Sequence, residues 1–515
     1  MKDFRKFLPF ALFSLILALS VGNCLAIGFG NIVQISSASV AWTVVHTVAS
    51  CALVALAATM MGRWSLVFMA PLFAWLTTWL AVEIFLKSHF VSALDSFSGE
   101  WLAVLMNSSP REVMEFMRGS MLVSDWLLVF SQLALFGGYL WLVWLLGCAR
   151  RDARMYVAAS IAAVVTLAAA IPAVPNCSCL AHAVTGHPFL ANATRMSCFD
   201  ELDIAGAELE RGTFAADIDG RGVVGVVAMG ESALRTHMSL YGYSRNTTPR
   251  MDAMRGELVV FGKVRADSWL TTNALLSFLT DHDAREGATA TCSIPSAAAS
   301  AGYETALVSS QNHWLGVDGV DGLLFRTCGS KTFLTDLAED GTVYDSDMLA
   351  PLDEFIGGCA GGKGSVAFLH MIGSHRLFSE RYPQDMEFFP ADLADSETSG
   401  LDETLRALVN AYDNSIRFTD SVLGDIVDRL RALGRPSFML YFSDHGESPA
   451  STTRVDSESL REVPMFIWFS PEYKEAYPEV VADLTRSSWT EIPSDKMFPV
   501  FLELFRLSRT ESASK

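Results

Sequence analysis

Five apolar runs crowd the first 175 residues, and they constrain the fold more than anything else in the chain. They extend from Phe7 to Phe29, Val40 to Met61, Trp64 to Leu86, Met121 to Leu146 and Met155 to Val174. A helix crosses a bilayer with about 20 mostly apolar residues. The spacing therefore predicts five membrane spans in an N-terminal α-helical bundle over residues 1–175. Lys2, Arg5 and Lys6 precede the first run, which leaves a cleaved signal peptide as the alternative for that run alone. Lysine and arginine stay on the cytoplasmic side of such spans. The basic N-terminus, Arg63, and the Arg150, Arg151, Arg154 group fall on that side, so everything after about Val174 falls outside. The segment 87–120 also falls outside. It mixes Trp101, Leu102, Leu105 and Met106 with charges, as a helix lying on a membrane surface does. Glu83 and His46 sit within the predicted spans and read as interface or bundle contacts.

Only 18% of the chain is charged, against about 25% for a soluble domain, but the deficit is uneven. From Asp200 onward the sequence has the character of an acidic soluble domain. Residues 176–220 read as a linker and 221–515 as one catalytic domain. The net charge of −19 argues against a nucleic-acid partner, which needs a basic face. Cys177, Cys179, Cys198, Cys292, Cys328 and Cys359 all lie in the predicted outside part. An even count in an oxidising compartment suggests disulfides, with the pairing open.

The second part alternates apolar β-rich runs with helical spacing. Val223 to Met229, Ala306 to Ser310, Ser365 to Met371, Ser437 to Phe442 and Pro464 to Phe469 read as strands. Leu401 to Leu433 carries Leu405, Leu408, Ile416, Val422, Ile426 and Leu430 on one helical face. This alternation predicts an α/β sheet, in which ligands bind beyond the carboxyl ends of strands. Three polar clusters fall at such ends: Glu231, His370 with His375, and Asp444-His445-Gly446-Glu447. Carboxylate and imidazole groups together suit zinc. Thr271 and Thr272 precede Leu275, Phe278 and Leu279 and so stand at a helix N-terminus. Either caps that helix, or offers a metal-activated hydroxyl where helix amides favour phosphate. His370 and His375 read equally as structural histidines or as groups that orient substrate.

The motifs Gly230-Glu231-Ser232, Tyr241-Gly242-Tyr243, His370 to Gly373-Ser374-His375, Arg381-Tyr382-Pro383, Tyr412-Asp413-Asn414 and Ser443-Asp444-His445-Gly446-Glu447-Ser448 occur in one order. Together they resemble the phosphoethanolamine transferases, inner-membrane enzymes of the alkaline phosphatase/sulfatase superfamily. The resemblance runs from about Val223 to Tyr473. It implies an alkaline-phosphatase/sulfatase-like periplasmic domain and Glu231, Thr271, Asp444 and His445 as zinc ligands. It also implies Thr271 as nucleophile, and His370, His375 and Gln311 at the substrate site. Expected partners are phosphatidylethanolamine as donor, a lipopolysaccharide or periplasmic glycan as acceptor, and membrane lipid, with the protein a monomer. No histidine follows His445, and the nucleophile segment lacks flanking cysteines, unlike the enzymes that modify lipid A. The rival reading is a phosphoglycerol transferase of the same superfamily. A sulfatase activity lacks support, since Cys292-Ser293-Ile294-Pro295 has no CxPxR-like context.

Overall fold

A computed structural model of the chain describes chiefly residues 213–218, 222–269, 271–281, 290–311, 324–337, 343–359, 362–450 and 458–510. Short pieces at 90–91 and 454–455 and scattered positions elsewhere are also described. The five predicted spans, the segment 87–120, the linker, Cys177, Cys179 and Cys198 lie essentially outside the described residues. Among the described residues, no helix is long and apolar enough to cross a membrane. The chain divides into two compact units, 1–106 with 116–197 and 107–115 with 198–515. Only the second is described below.

Its centre is a seven-stranded sheet. In chain order the strands are β1 Val224–Gly230, β2 Leu258–Val260, β3 Glu304–Ser309, β4 Ser330–Phe333, β5 Ser365–His370, β6 Ser437–Ser443 and β7 Met465–Phe469. Their order across the sheet is β2-β7-β6-β1-β5-β3-β4. Five neighbours, β6, β1, β5, β3 and β4, are parallel. β7 runs antiparallel to both β6 and β2. Every residue of β1, β5 and β6 is buried, as expected for parallel strands covered on both faces.

The two faces follow from the strand period of two. Val224, Val226 and Ala228 of β1 join one apolar cluster, and Val227 and Met229 join the other. Helices α1 Thr271–Leu279, α2 Ile294–Ser300 and α5 Phe498–Leu504 cover the second cluster through Leu275, Phe278, Ile294, Ala297 and Phe501. Between α2 and α5 in sequence come α3 Leu349–Gly358 and the 30-residue α4 Glu403–Ala432. They pack on the first cluster through Leu352, Tyr412, Ile416, Ile426 and Leu430. α4 starts where Asp402 accepts the Leu405 amide at 2.9 Å, a side-chain N-cap.

The five strands expected from sequence are present, with ends shifted by a residue or two. β2 and β4 add strands at the two edges, and a small sheet pairs 263–265 with 462–463 and 491–493. Among the described residues no disulfide joins Cys292, Cys328 and Cys359. Cys292 is buried in the core, and its thiol donates to the Ser293 carbonyl.

Candidate metal centre and nucleophile

Parallel strands bring their carboxyl ends to one edge. β1 and β6 are neighbours with Gly230 opposite Ser443, so the residues that follow each must meet. Gly230 has no side chain because a Cβ there would come within 2.5 Å of the Tyr441 hydroxyl. Glu231, Asp444 and His445 are nearly fully buried and offer ligand atoms within 4.8 Å of one another. His445 Nε2 lies 3.3 Å from Glu231 Oε1 and 3.3 Å from Asp444 Oδ2.

Thr271 completes the group as the first residue of α1. It is the Thr271 hydroxyl that reaches the cluster, donating to Glu231 Oε2 at 3.0 Å and lying 3.4 Å from His445 Nε2. His445 Nδ1 sits 3.0 Å from the Gly446 carbonyl, which can only accept, so Nδ1 holds a proton. Nε2 is thus the atom that faces the oxygens, a donor to them when protonated and a metal ligand when not.

Burial opposes charge on both carboxylates. At Glu231, attraction to His445 and His375 and the bonds from His445 and Ser232 outweigh it and hold the carboxyl well below its ordinary range. At Asp444, burial and repulsion from Glu231 prevail and push the pKa up to about 7. Asp444 Oδ1 accepts the Ser232 and His445 amides at 3.1 and 2.7 Å. Among the described residues Asp444 Oδ2 is buried with no hydrogen-bond partner. Such an orphaned oxygen is costly unless something cationic meets it. One nitrogen and three oxygens of different residues converge here, a donor set that fits zinc. A divalent cation among them would remove the repulsion that raises Asp444.

The polypeptide around Glu231 is held under tension. Ser232 has φ 60° with a side chain present, a region L-residues rarely occupy. Its amide and hydroxyl both serve the site, the hydroxyl donating to Glu231 Oε1 at 2.7 Å. Gly373 presses on Glu231 from the other side. It has φ +50°, and a Cβ there would lie 2.7 Å from the Glu231 carbonyl oxygen. The Ser374 amide donates to that same oxygen at 2.9 Å.

The remaining motif residues are supports. Tyr412 Oη accepts the Leu234 amide at 2.7 Å and donates to the Ser232 carbonyl at 2.8 Å. Asp413 accepts from His237, Tyr243 and Arg245. Asn414 accepts the amides of Phe388 and Phe389. Ser415 donates to Ser374. Arg381 donates to the carbonyls of His375 and Arg376 and so fixes the loop after β5. Tyr241 Oη donates to the Met465 carbonyl and accepts its amide.

His370 closes β5, buried and in register with Met229. His375 lies near enough to bias the charge of Glu231. Gln311 follows β3, and its Nε2 donates to the Met371 carbonyl at 2.8 Å. The converging groups are thus Glu231, Thr271, Asp444 and His445, while His370 and Gln311 flank them along the sheet edge. Sequence reasoning missed Asp345, which is buried and accepts the amides of Ile372 and Gly373. It also missed the contact of Arg376 with buried Glu447, 3.6 Å apart. Nothing in the local spacing of either residue announces a role.

A family model described as Sulfatase matches residues 224–507. Phosphoethanolamine transferase EptC of Escherichia coli strain K12 is 26% identical over 268 residues, 49% of this chain and 46% of that protein. The Kdo(2)-lipid A phosphoethanolamine 7''-transferase of the same strain is 25% identical over 286 residues, 52% and 48% of the two chains. The chain thus spans about half the length of the curated relatives it matches. Among solved structures, the periplasmic domain of Escherichia coli EptC in complex with zinc superposes with a TM-score of 0.53 at 24% identity, covering 58% of this chain and 86% of that one. The integral membrane lipooligosaccharide phosphoethanolamine transferase A of Neisseria meningitidis covers 97% of this chain and 96% of its own, with a TM-score of 0.69 and 19% identity. These two structures speak for the fold.

Proposed function

The chain belongs to the sulfatase family, and on that premise we propose that it transfers phosphoethanolamine from phosphatidylethanolamine to a lipopolysaccharide (lipid A or core sugar) or related periplasmic glycan. The observation that carries this reading is the Thr271 hydroxyl at a helix N-terminus, bonded to Glu231 Oε2 and facing His445 Nε2. Glu231, Asp444, His445 and the Thr271 oxygen would hold zinc. When bound, zinc supplies a lowered pKa for the Thr271 hydroxyl and a counter-charge for phosphoryl oxygens.

Thr271 Oγ attacks the donor phosphorus, the bond from phosphorus to the diacylglycerol oxygen breaks, and diacylglycerol leaves with a proton. A phosphoethanolamine ester on Thr271 remains. An acceptor oxygen then attacks the same phosphorus, the Thr271 ester bond breaks, and the hydroxyl regains a proton. Two displacements give ping-pong kinetics. The start of α1 would favour the negative charge of the phosphoryl group. Glu231 Oε2 already takes the Thr271 hydroxyl hydrogen bond, which turns an oxygen lone pair outward for attack. His375, His370 and Gln311 flank the phosphoryl position and orient donor and acceptor.

The five apolar runs support a multi-pass inner-membrane protein with residues 1–175 in lipid, a linker over 176–220 and the catalytic domain 221–515 in the periplasm. Anchoring keeps the site at the surface that holds its donor and raises the effective concentration. The protein acts as a monomer.

The test is mass spectrometry of zinc-loaded protein incubated with phosphatidylethanolamine. One phosphoethanolamine unit on the peptide containing Thr271, absent in Thr271→Ala, is expected. An adduct that persists in Thr271→Ala overturns the nucleophile. A glycerophosphate adduct from phosphatidylglycerol, with none from phosphatidylethanolamine, would establish the phosphoglycerol alternative instead.

A further inference from the structure

Large apolar side chains exposed to water cluster at one edge of the catalytic unit. Among the described residues of 213–510 they are Leu337, Met386, Phe388 and Trp489. Leu337 follows the carboxyl end of β4, where Thr335 donates to the carbonyl of Gln311 just past β3. Met386 and Phe388 lie in the long excursion after the carboxyl end of β5. The Phe388 amide is held by Asn414, two residues from the Tyr412 that grips Ser232. Trp489 stands beyond the opposite margin. The Ser488 carbonyl accepts the Gly262 amide, the Phe261 amide donates to the Met465 carbonyl, and Met465 lies opposite Phe442 near the end of β6.

All four therefore stand on the edge that carries Glu231, Thr271, Asp444 and His445, on both flanks of it. The amino edge, where Glu304 and Lys363 lie, carries no exposed large apolar side chain among the described residues. Single exposed apolar residues need no explanation, but a set confined to one edge does. Trp489 is 87% exposed, and two exposed cations flank it: Arg486, three residues earlier and paired with Asp483, and Lys263, paired with Glu491 two residues later. The Arg417 guanidinium lies 3.8 Å over the Phe388 ring. Aromatic rings with neighbouring lysine and arginine are the chemistry of the bilayer interface, where the ring meets the acyl boundary and the cation meets phosphate.

We propose that this edge docks on a phospholipid bilayer surface, with Trp489 and Phe388 on its two flanks and Leu337 as a third contact. A site whose donor phosphorus sits at headgroup level must meet the membrane edge-on, and these side chains are placed to hold it there. The inference rests on the phospholipid-donor reading above, but its test does not require turnover.

The full chain is placed in phospholipid nanodiscs with an environment-sensitive fluorescent amino acid at position 489, 388 or 337, or at 363 as the amino-edge control. Spin-labelled phospholipid is the quencher. The expected result is blue-shifted emission and quenching at 489 and 388, the same at 337, and neither at 363. No quenching at 489 and 388, or equal quenching at 363, overturns the proposal. A Trp489→Ser, Phe388→Ser double variant is then assayed with bilayer phosphatidylethanolamine and with a short-chain water-soluble analogue. A several-fold higher half-saturating concentration for the bilayer substrate alone is expected. Docking by fluorescence without any transfer would separate a sound surface from a wrong donor, and equal loss on both substrates would overturn the surface's role in donor delivery.

Discussion

Two buried tyrosines make opposite predictions from one deleted oxygen. Tyr412 Oη sits between the Leu234 amide and the Ser232 carbonyl at 2.7 and 2.8 Å. Tyr412→Phe keeps the ring against Phe378, whose centroid is 4.9 Å away, and removes only the oxygen. Two buried backbone groups then lose their partner. Each such group costs about 1–3 kcal/mol, so the variant should lose roughly 2–6 kcal/mol. Tyr441 is equally buried on β6, but its hydroxyl has no hydrogen-bond partner among the described residues. Tyr441→Phe removes an unmet polar atom and should be neutral or stabilising by up to about 1 kcal/mol. Urea denaturation read by fluorescence gives both values, provided the slope is unchanged. The Tyr412 oxygen also restrains the Ser232 turn. Zinc binding by folded Tyr412→Phe should therefore weaken, while that of Tyr441→Phe should not. Equal midpoints for the two variants, or unaltered zinc affinity in Tyr412→Phe, would refute the claim that this oxygen holds Glu231 in place.

Other expectations follow from the same geometry. Gly373→Ala places a Cβ 2.7 Å from the Glu231 carbonyl oxygen at positive φ, so Glu231 must move; bound zinc per chain and Thr271 adduct should both fall sharply. Asp281 accepts the Thr291 and Cys292 amides and the Thr291 hydroxyl, and these bonds outweigh burial to lower its pKa. A depressed carboxyl stabilises the fold above its unfolded pKa of about 3.9 and loses that contribution as pH falls through the folded value. Asp281→Asn should therefore be most destabilising near neutrality, with the gap from wild type closing below about pH 4, as denaturant midpoints across pH would record.

The central strands and the long helix were legible because burial on both faces writes continuous apolar runs and one amphipathic stripe. The Glu231 and Asp444-His445 pair was legible because a polar cluster after such a run marks the carboxyl edge. β4 was hidden because an edge strand reading Ser330-Lys331-Thr332-Phe333 is only four residues long and polar at all but the last. β2, at three residues, carries too little pattern to see. Thr271 and Thr272 share one local setting, and only the fold aims the Thr271 hydroxyl at Glu231. The tension at Ser232 and the support from Asp345 depend on contacts across many residues of sequence, and the grip of Arg381 on carbonyls six and five residues back depends on how its own loop folds. Among the described residues no disulfide joins Cys292, Cys328 and Cys359, and burial with a carbonyl partner accommodates the Cys292 thiol within the core.

Tyr412, Asp413, Asn414 and Ser415 are four successive residues of one helix, roughly a single turn; the first two hold the loop after β1 and the last two the loop after β5, each at a different point. That turn works as a hub with four spokes. The loops can vary in length and chemistry so long as each returns to its spoke. The hub cannot slide: one inserted residue upstream would rotate it by about 100° and release both loops together. Diversity in what this scaffold accepts should thus accumulate at the rim while the axle stays unchanged, and a lesion at the axle should read as loss of the whole centre.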